Sequence, residues 1–263
     1  MAKIKELVSN KKPTANILGI NISLDDKNTI NKKITDFLFG DKSHYIVTPN
    51  PEIILSAQND KIYKNILNNA AIAIADGFGI KLAGFTYKLN IPRITGADLL
   101  YDLLRIANKK KQKIAILNWE KSLSNKEAIA GSIQNYYPAL NFKIFTSKRK
   151  VDDRTINNII AYGPKIIIVT LGAPFQEKFI FDNLHMFTSA RLAIGVGGAF
   201  DFFTGRIKRA PKLLRFIGLE WLYRIFQEKG PRKLWRLKRI YNAVIIFSFK
   251  FIIWRLKNNA KKI

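Results

Sequence analysis

The sequence predicts an α/β protein: a Rossmann-like, mostly parallel sheet with helices on both faces, plus a C-terminal helical, membrane-associating appendage. Three observations point there. Short β-branched runs recur through residues 1–205, helix-length segments separate most of them, and basic residues crowd the stretch 206–263. Apolar runs of five or six residues between helices mark parallel strands buried on both faces. Right-handed βαβ crossovers then wind such strands into a doubly wound sheet.

The expected strands, in chain order, are Ile17–Ile22, Tyr45–Thr48, Ala71–Ala75, Ile114–Leu117, Phe142–Phe145, Ile166–Thr170 and Leu192–Val196. Expected helices lie between them at Pro51–Asn68, Gly96–Lys110, Asn125–Tyr137, Asp152–Ala161 and Phe175–Thr188. Past Gly205 the character changes. Gly218–Gln227 is aromatic and aliphatic, with Arg224 one turn after Glu220, the spacing of an i,i+4 ion pair. Gly230-Pro231 breaks the chain. A basic run, Arg232–Arg239, then leads into the apolar, aromatic Ile240–Leu256.

Composition bounds the function. The 263 residues, 48% of them hydrophobic, are enough for one large domain with an appendage and too apolar for a disordered chain. Cysteine is absent, which removes disulfides, thiolate metal sites and cysteine nucleophiles. The net charge of +26 calls for a polyanionic partner: nucleic acid, anionic lipid or a phosphorylated substrate. From Gly205 onward 17 Lys and Arg face two acids, Glu220 and Glu228, a net +15. The domain boundary is therefore expected there, with 1–205 as the catalytic unit and 206–263 as the appendage. The N-terminal stretch Met1–Asn10 is polar, so no signal peptide is expected, and Lys250 interrupts the nearest approach to a membrane-spanning run.

Several chemistries lack their residues. The glycines at 77, 79 and 84 miss the dinucleotide-binding spacing, and Gly195-Val196-Gly197-Gly198 misses it too. There is no Walker-A sequence, no Gly-x-Ser-x-Gly and no Asp-x-Asp. His44 and His185 read as structural or solvated, and Asp25-Asp26 and Asp152-Asp153 as turn or cap residues. No metal site and no cofactor are expected.

Ligands of a doubly wound sheet sit beyond the carboxyl ends of its strands. Here those ends read Pro49-Asn50-Pro51-Glu52, Asp76-Gly77-Phe78-Gly79, Leu171-Gly172-Ala173-Pro174-Phe175-Gln176-Glu177 and Gly197-Gly198-Ala199-Phe200-Asp201. Small residues let backbone amides approach a ligand, and helix N-termini favour phosphate, so a diphosphate would suit these loops. Asp76, after an apolar strand and before a flexible loop, is placed either as a general base or as a cap of the next turn. Asp201 carries the same two readings, catalytic partner or helix cap.

Seven runs taken together resemble the WecG/TagA/CpsF glycosyltransferases, glycosyltransferase family 26. They are Thr48–Glu52, Ala75–Gly79, Arg93–Leu99, Gly172–Glu177, Gly195–Asp201, Arg209–Pro211 and Gly218–Arg224, in family order. The resemblance implies an inverting, metal-independent transfer of an N-acetylmannosamine-type sugar, or its uronic acid, from a UDP-sugar. The acceptor it implies is a polyprenyl-diphosphate-linked N-acetylglucosamine, in cell-surface polysaccharide synthesis such as teichoic acid linkage. It further implies a cytoplasmic, peripheral position on the inner face of the bacterial membrane. By motif, Asp76 falls where the general base lies, with Thr48 and Asn50 lining the pocket. Arg93 and Gln176 fall at substrate-contacting positions, and Gly77, Gly172, Gly197 and Asp201 lie in the same motifs. Arg224, Arg232 and Arg236 resemble the basic residues that close over the diphosphate; without a metal, arginines and backbone amides must take up the leaving group's charge.

Basic residues flanking an apolar aromatic helix describe an element lying in a membrane interface. The same tail would also serve packing on the core or a homo-oligomer interface. A second reading of the whole chain is a basic RNA-binding α/β protein without transferase activity, with Trp235, Tyr241 and Trp254 as a stacking surface. The resemblance ranks nucleic acid second.

Overall fold

The alternating runs fold into two sheets. A computed structural model describes residues 14–211, 213–214, 220–227, 237 and 240–259, the side chains of Trp221, Arg224 and Asn259 excepted. β1 (Thr14–Ile17) and β2 (Ile20–Ser23) form an antiparallel hairpin. This corrects the single strand expected over Ile17–Ile22. Leu18 and Gly19 both take positive φ, 53° and 82°, a two-residue turn whose twist matches the flanking strands. Asn16 holds it shut, accepting from the Gly19 amide at 3.0 Å and donating to Asn21 at 2.8 Å.

The main sheet contains β3 (His44–Val47), β4 (Ile72–Ala73), β5 (Ile114–Trp119), β6 (Phe142–Ser147), β7 (Ile166–Val169) and β8 (Leu192–Gly195). Its order is β4-β3-β8-β7-β5-β6, and every neighbouring pair is parallel. β4 is shorter than the expected Ala71–Ala75, although the chain still tracks β3 beyond it, with the Asp76 amide donating to the Pro49 carbonyl at 2.8 Å.

Strand alternation divides the core in two. Tyr45, Val47, Ala115, Leu117, Ile167, Val169 and Ala193 face one side; Ile46, Ile114, Ile116, Ile166, Ile168, Leu192 and Ile194 face the other. Onto the first side pack α2 (Pro51–Gln58), α3 (Lys61–Asn68), α7 (Asp153–Tyr162) and α8 (Phe175–Asn183). Onto the second pack α1 (Lys27–Phe39), α5 (Gly96–Lys109), α6 (Lys126–Tyr136) and α9 (Ala199–Phe203). α1 shows the amphipathic spacing plainly, with Ile30, Ile34 and Leu38 buried at four-residue intervals.

Local chemistry sets the helix ends. Asp26 caps α1 and Asp152 caps α7, each accepting from the amide three residues on, so both acidic pairs supply a cap as expected. The single helix expected over Pro51–Asn68 is two. Asn59 ends α2, and Asp60 starts α3 by accepting from the Tyr63 amide at 2.8 Å. His44 stacks on Phe37 at 4.0 Å, in line with its structural reading.

α4 (Phe78–Phe85) follows Asp76-Gly77 and packs against α11 (Phe247–Asn259), the C-terminal helix. α10 (Glu220–Gln227) lies between them in sequence. Phe247 and Phe251 of α11 are buried in the α2/α3 side of the core, so the C-terminal stretch shares that core. Among the described residues no helix is long and apolar enough to cross a membrane.

Candidate active site

The site is set by where the helices that follow neighbouring strands part to opposite faces of the sheet. Neighbouring strands β3 and β8 are followed by α2 and α9, which cover opposite faces, so their carboxyl ends open a crevice between them. Thr48 follows β3 and is buried; its hydroxyl donates to the Gly195 carbonyl of β8 at 3.4 Å. Asp76 enters from the end of β4. Its Oδ2 accepts from the Gly96 amide, the first of α5, at 3.2 Å.

Gly96 lies between the two side chains. A Cβ there would stand 3.6 Å from Asp76 Oδ2 and 3.7 Å from Thr48 Oγ1. Asp76 does not cap α4, whose N-cap, Gly77, has no side-chain bond. The carboxylate crosses instead to the N-terminus of α5. Gly77 takes φ 135°, a conformation a side chain would strain, and a Cβ on it would meet Pro51 at 3.2 Å. Asn50, beside Pro51, caps α2 through its Oδ1 at 2.9 Å from the Ile53 amide. Its side chain is thus committed to capping α2.

Gln176 ties the other two loops together. Its Oε1 accepts from the Gly172 amide at 3.2 Å, after β7, and from the Gly197 amide at 3.0 Å, after β8. Gly172 and Gly197 have φ of 76° and 50°. Gly195 gives Gln176 its room: a Cβ there would come 2.6 Å from Gln176 Cδ and Nε2. The Gln176 Nε2 donates to Glu177 at 2.7 Å. Burial pushes the Glu177 carboxyl above the ordinary range, against the pull of hydrogen bonds from Gln176 and Tyr63.

Asp201 is buried and holds the loop after β5. Its Oδ1 accepts from both the amide and the hydroxyl of Ser124, at 3.0 and 2.7 Å. Arg149 lies over the Trp119 ring at 4.4 Å and the Phe175 ring at 4.7 Å, linking the end of β5 to the start of α8.

Arg93 is held by Glu220 of α10, Nη2 to Oε2 at 2.9 Å. The same carboxylate lies 3.7 Å from Arg209 Nε, and Arg209 Nη1 donates to Asp98 at 2.6 Å. Thr95 caps α5, its hydroxyl oxygen accepting from the Asp98 amide at 3.1 Å and donating to the Asp98 carboxylate at 2.6 Å. This network fastens α10 and the chain around Arg209 to the helix whose first amide binds Asp76. Burial would raise the Asp98 carboxyl, but hydrogen bonds from Arg209 and Thr95 and the Arg209 charge outweigh it and hold it below its ordinary 3.8. A lowered carboxyl contributes stability above its unfolded value and loses it as pH falls through the folded one. As pH falls below about 4 the wild-type melting temperature is expected to fall more steeply than that of Asp98→Asn; parallel slopes would show that Arg209 does not hold Asp98.

Thr48, Asn50, Asp76, Gly77, Gly172, Gln176 and Gly197 therefore meet at the ends of β3, β4, β7 and β8, while Asp201 braces one side and Arg93 is anchored by α10. Arg224 lies in α10, but its side chain is outside the described residues, as are Arg232 and Arg236 entirely. Tyr63, Asp98, Gly195 and Arg209 carry no sequence-based assignment, and Glu220 carries only the i,i+4 pairing with Arg224. Asp98, Gly195, Arg209 and Glu220 lie inside the quoted motifs, a signal that was there to be used; Tyr63 lies in none.

The sequence matches the Glycosyl transferase WecG/TagA/CpsF family over residues 15–261. It is 34% identical over 222 residues to the N-acetylglucosaminyldiphosphoundecaprenol N-acetyl-beta-D-mannosaminyltransferase of Bacillus subtilis (strain 168), covering 80% of this chain and 83% of the relative. The protein of the same name from Staphylococcus aureus (strain MRSA252) is 32% identical over 220 residues, covering 83% of this chain and 82% of the relative.

Proposed function

The chain belongs to the WecG/TagA/CpsF glycosyl transferase family, and on that premise we propose that it moves N-acetylmannosamine from UDP to a polyprenyl-diphosphate-linked N-acetylglucosamine. The names of the relatives support the sugar and the acceptor. The observation that carries the reading is the meeting of Asp76 and Thr48 across Gly96, beside two glycine loops pinned by one glutamine.

Asp76 takes the proton from an acceptor hydroxyl as that oxygen attacks the anomeric carbon. The bond from that carbon to the diphosphate oxygen breaks, UDP leaves with the electron pair, and configuration at the carbon inverts. Loop amides after β7 and β8, with Arg93 and the arginines at 224, 232 and 236, neutralise the diphosphate, so no metal is required. The direct test supplies a panel of UDP-sugars with a lipid-diphosphate N-acetylglucosamine acceptor and measures UDP release. Release with UDP-N-acetylmannosamine is expected; none with any donor would overturn the reading.

The proposed lipid-linked acceptor and α11 both support peripheral attachment at the inner face of the cell membrane. Phe247, Phe251 and Trp254 pack inward, while Phe249, Ile252 and Leu256 lie on the opposite side of the helix, each more than half exposed. Ile245, in the π-helical turn before it, continues that outer stripe. Lys250 and Lys257 flank it on one side and Arg255 on the other, the arrangement that anionic lipid favours. Phe249→Glu with Ile252→Glu is expected to lower partitioning to anionic liposomes about tenfold or more, since each buried apolar side chain contributes roughly 1.5–3 kcal/mol. Activity on a short-chain, water-soluble acceptor should be unchanged. Undiminished partitioning, or a change from oligomer to monomer in sedimentation instead, would assign the stripe to a subunit interface.

A further inference from the structure

Glu177 is a fully buried acid that the chemistry above does not use. Only 1% exposed, it accepts from Gln176 Nε2 at 2.7 Å through Oε1 and from the Tyr63 hydroxyl at 3.2 Å through Oε2. Tyr63 is itself wholly buried in α3, whose N-cap Asp60 is paired with Lys178 of α8 at 2.7 Å. A chain of hydrogen bonds thus runs from α3 through Glu177 to Gln176, and from Gln176 to the Gly172 and Gly197 amides.

The polarity of that chain has one consistent assignment. The two glycine amides are donors and require the Gln176 carbonyl oxygen. The Gln176 amide nitrogen, at the other end of the same group, requires an acceptor. Buried against Gly195, it finds one only in the carboxyl oxygen of Glu177 among the described residues. An apolar side chain at 177 would leave that nitrogen buried without an acceptor, a costly state that the amide escapes only by rotating toward water. Rotation would release both glycine loops together.

We propose that Glu177, held by Tyr63, is a positioning residue: it fixes the Gln176 amide and so sets the spacing of the Gly172 and Gly197 loops for a nucleoside diphosphate. This rests on the reading of those loops as the donor site. It assigns to the last residue of the Gly172–Glu177 run a task distinct from contact with substrate.

The experiment compares Glu177→Leu, Glu177→Gln and Tyr63→Phe with wild type by calorimetric titration with UDP, thermal melting and steady-state transfer. Glu177→Leu is expected to weaken UDP binding and raise the donor KM about tenfold, with the acceptor KM within about twofold. Its melting temperature is expected to fall modestly, since the Gln176 amide and the Tyr63 hydroxyl lose their acceptor, so the split between donor and acceptor KM carries the test. Glu177→Gln keeps an acceptor for Gln176 and turns the other bond around, its amide nitrogen donating to the Tyr63 oxygen, and should bind UDP within about threefold of wild type. Tyr63→Phe should fall between the two. Wild-type UDP binding in Glu177→Leu, or a lowered melting temperature with donor and acceptor KM changed alike, would overturn the proposal. Equal damage in Glu177→Gln would overturn it as well. A wild-type protein that binds no UDP would instead sink the donor-site reading on which it stands.

Discussion

Asp76→Asn is expected to lower kcat by about 10³-fold, within the 10²–10⁴ that a positioned general base contributes. The substitution is nearly isosteric, and the asparagine Oδ1 can still accept from the Gly96 amide as Asp76 Oδ2 does at 3.2 Å. The loop after β4 should therefore keep its place, and UDP binding and melting temperature should stay close to wild type. What is lost is a group that can take a proton. Because the hydroxyl is deprotonated only as it attacks, the loss should appear in kcat and in kcat/KM equally. A twofold loss would remove Asp76 from the chemistry and leave it as the residue that binds the N-terminus of α5.

Gly195→Ala is expected to cost about 1–3 kcal/mol of stability, as overpacking of a filled site does, and about 10²-fold in kcat/KM. Gly195 needs no unusual backbone angle, so strain is not the reason. The reason is space: the added methyl carbon would lie 2.6 Å from Gln176 Cδ and Nε2, inside the closest approach of real Cβ atoms. Gln176 is buried and bonded at both ends of its amide, so it cannot yield without releasing Gly172 and Gly197. Displacement of a binding loop by about 1 Å is enough for a 10²-fold loss. Donor KM and melting curves of the variant check both halves of this expectation. A variant with wild-type donor KM would show that the two loops do not need Gln176.

The parts of this protein that could be read in the sequence are those governed by local rules. Apolar runs of the length of Ile166–Thr170 announce a doubly buried strand, and the strand-end loops carry their small and polar residues in view. The acidic pairs at 25–26 and 152–153 were legible as caps because capping is a three-residue affair. The hairpin at Leu18-Gly19 was not, since its turn lacks the Asn-Gly or Asp-Gly signature. The break between α2 and α3 escaped for a similar reason: Asn59-Asp60 contains neither proline nor glycine. Long-range partners were hidden altogether. Glu220 suggested a pair with Arg224 one turn away, yet its carboxylate engages Arg93, 127 positions back, and lies by Arg209. Nothing local to Glu177 indicates that Tyr63 lies against it, because that contact exists only once α3 and α8 pack on the same face.

The most direct test of the account is the product itself. Wild-type protein and Asp76→Asn are incubated with UDP-N-acetylmannosamine and a polyprenyl-diphosphate N-acetylglucosamine, and the lipid product is weighed by mass spectrometry and its new linkage assigned by NMR. The account predicts one added N-acetylhexosamine in inverted, β configuration with wild type, and almost none with Asp76→Asn. A product of retained configuration, or equal product from both proteins, would contradict it.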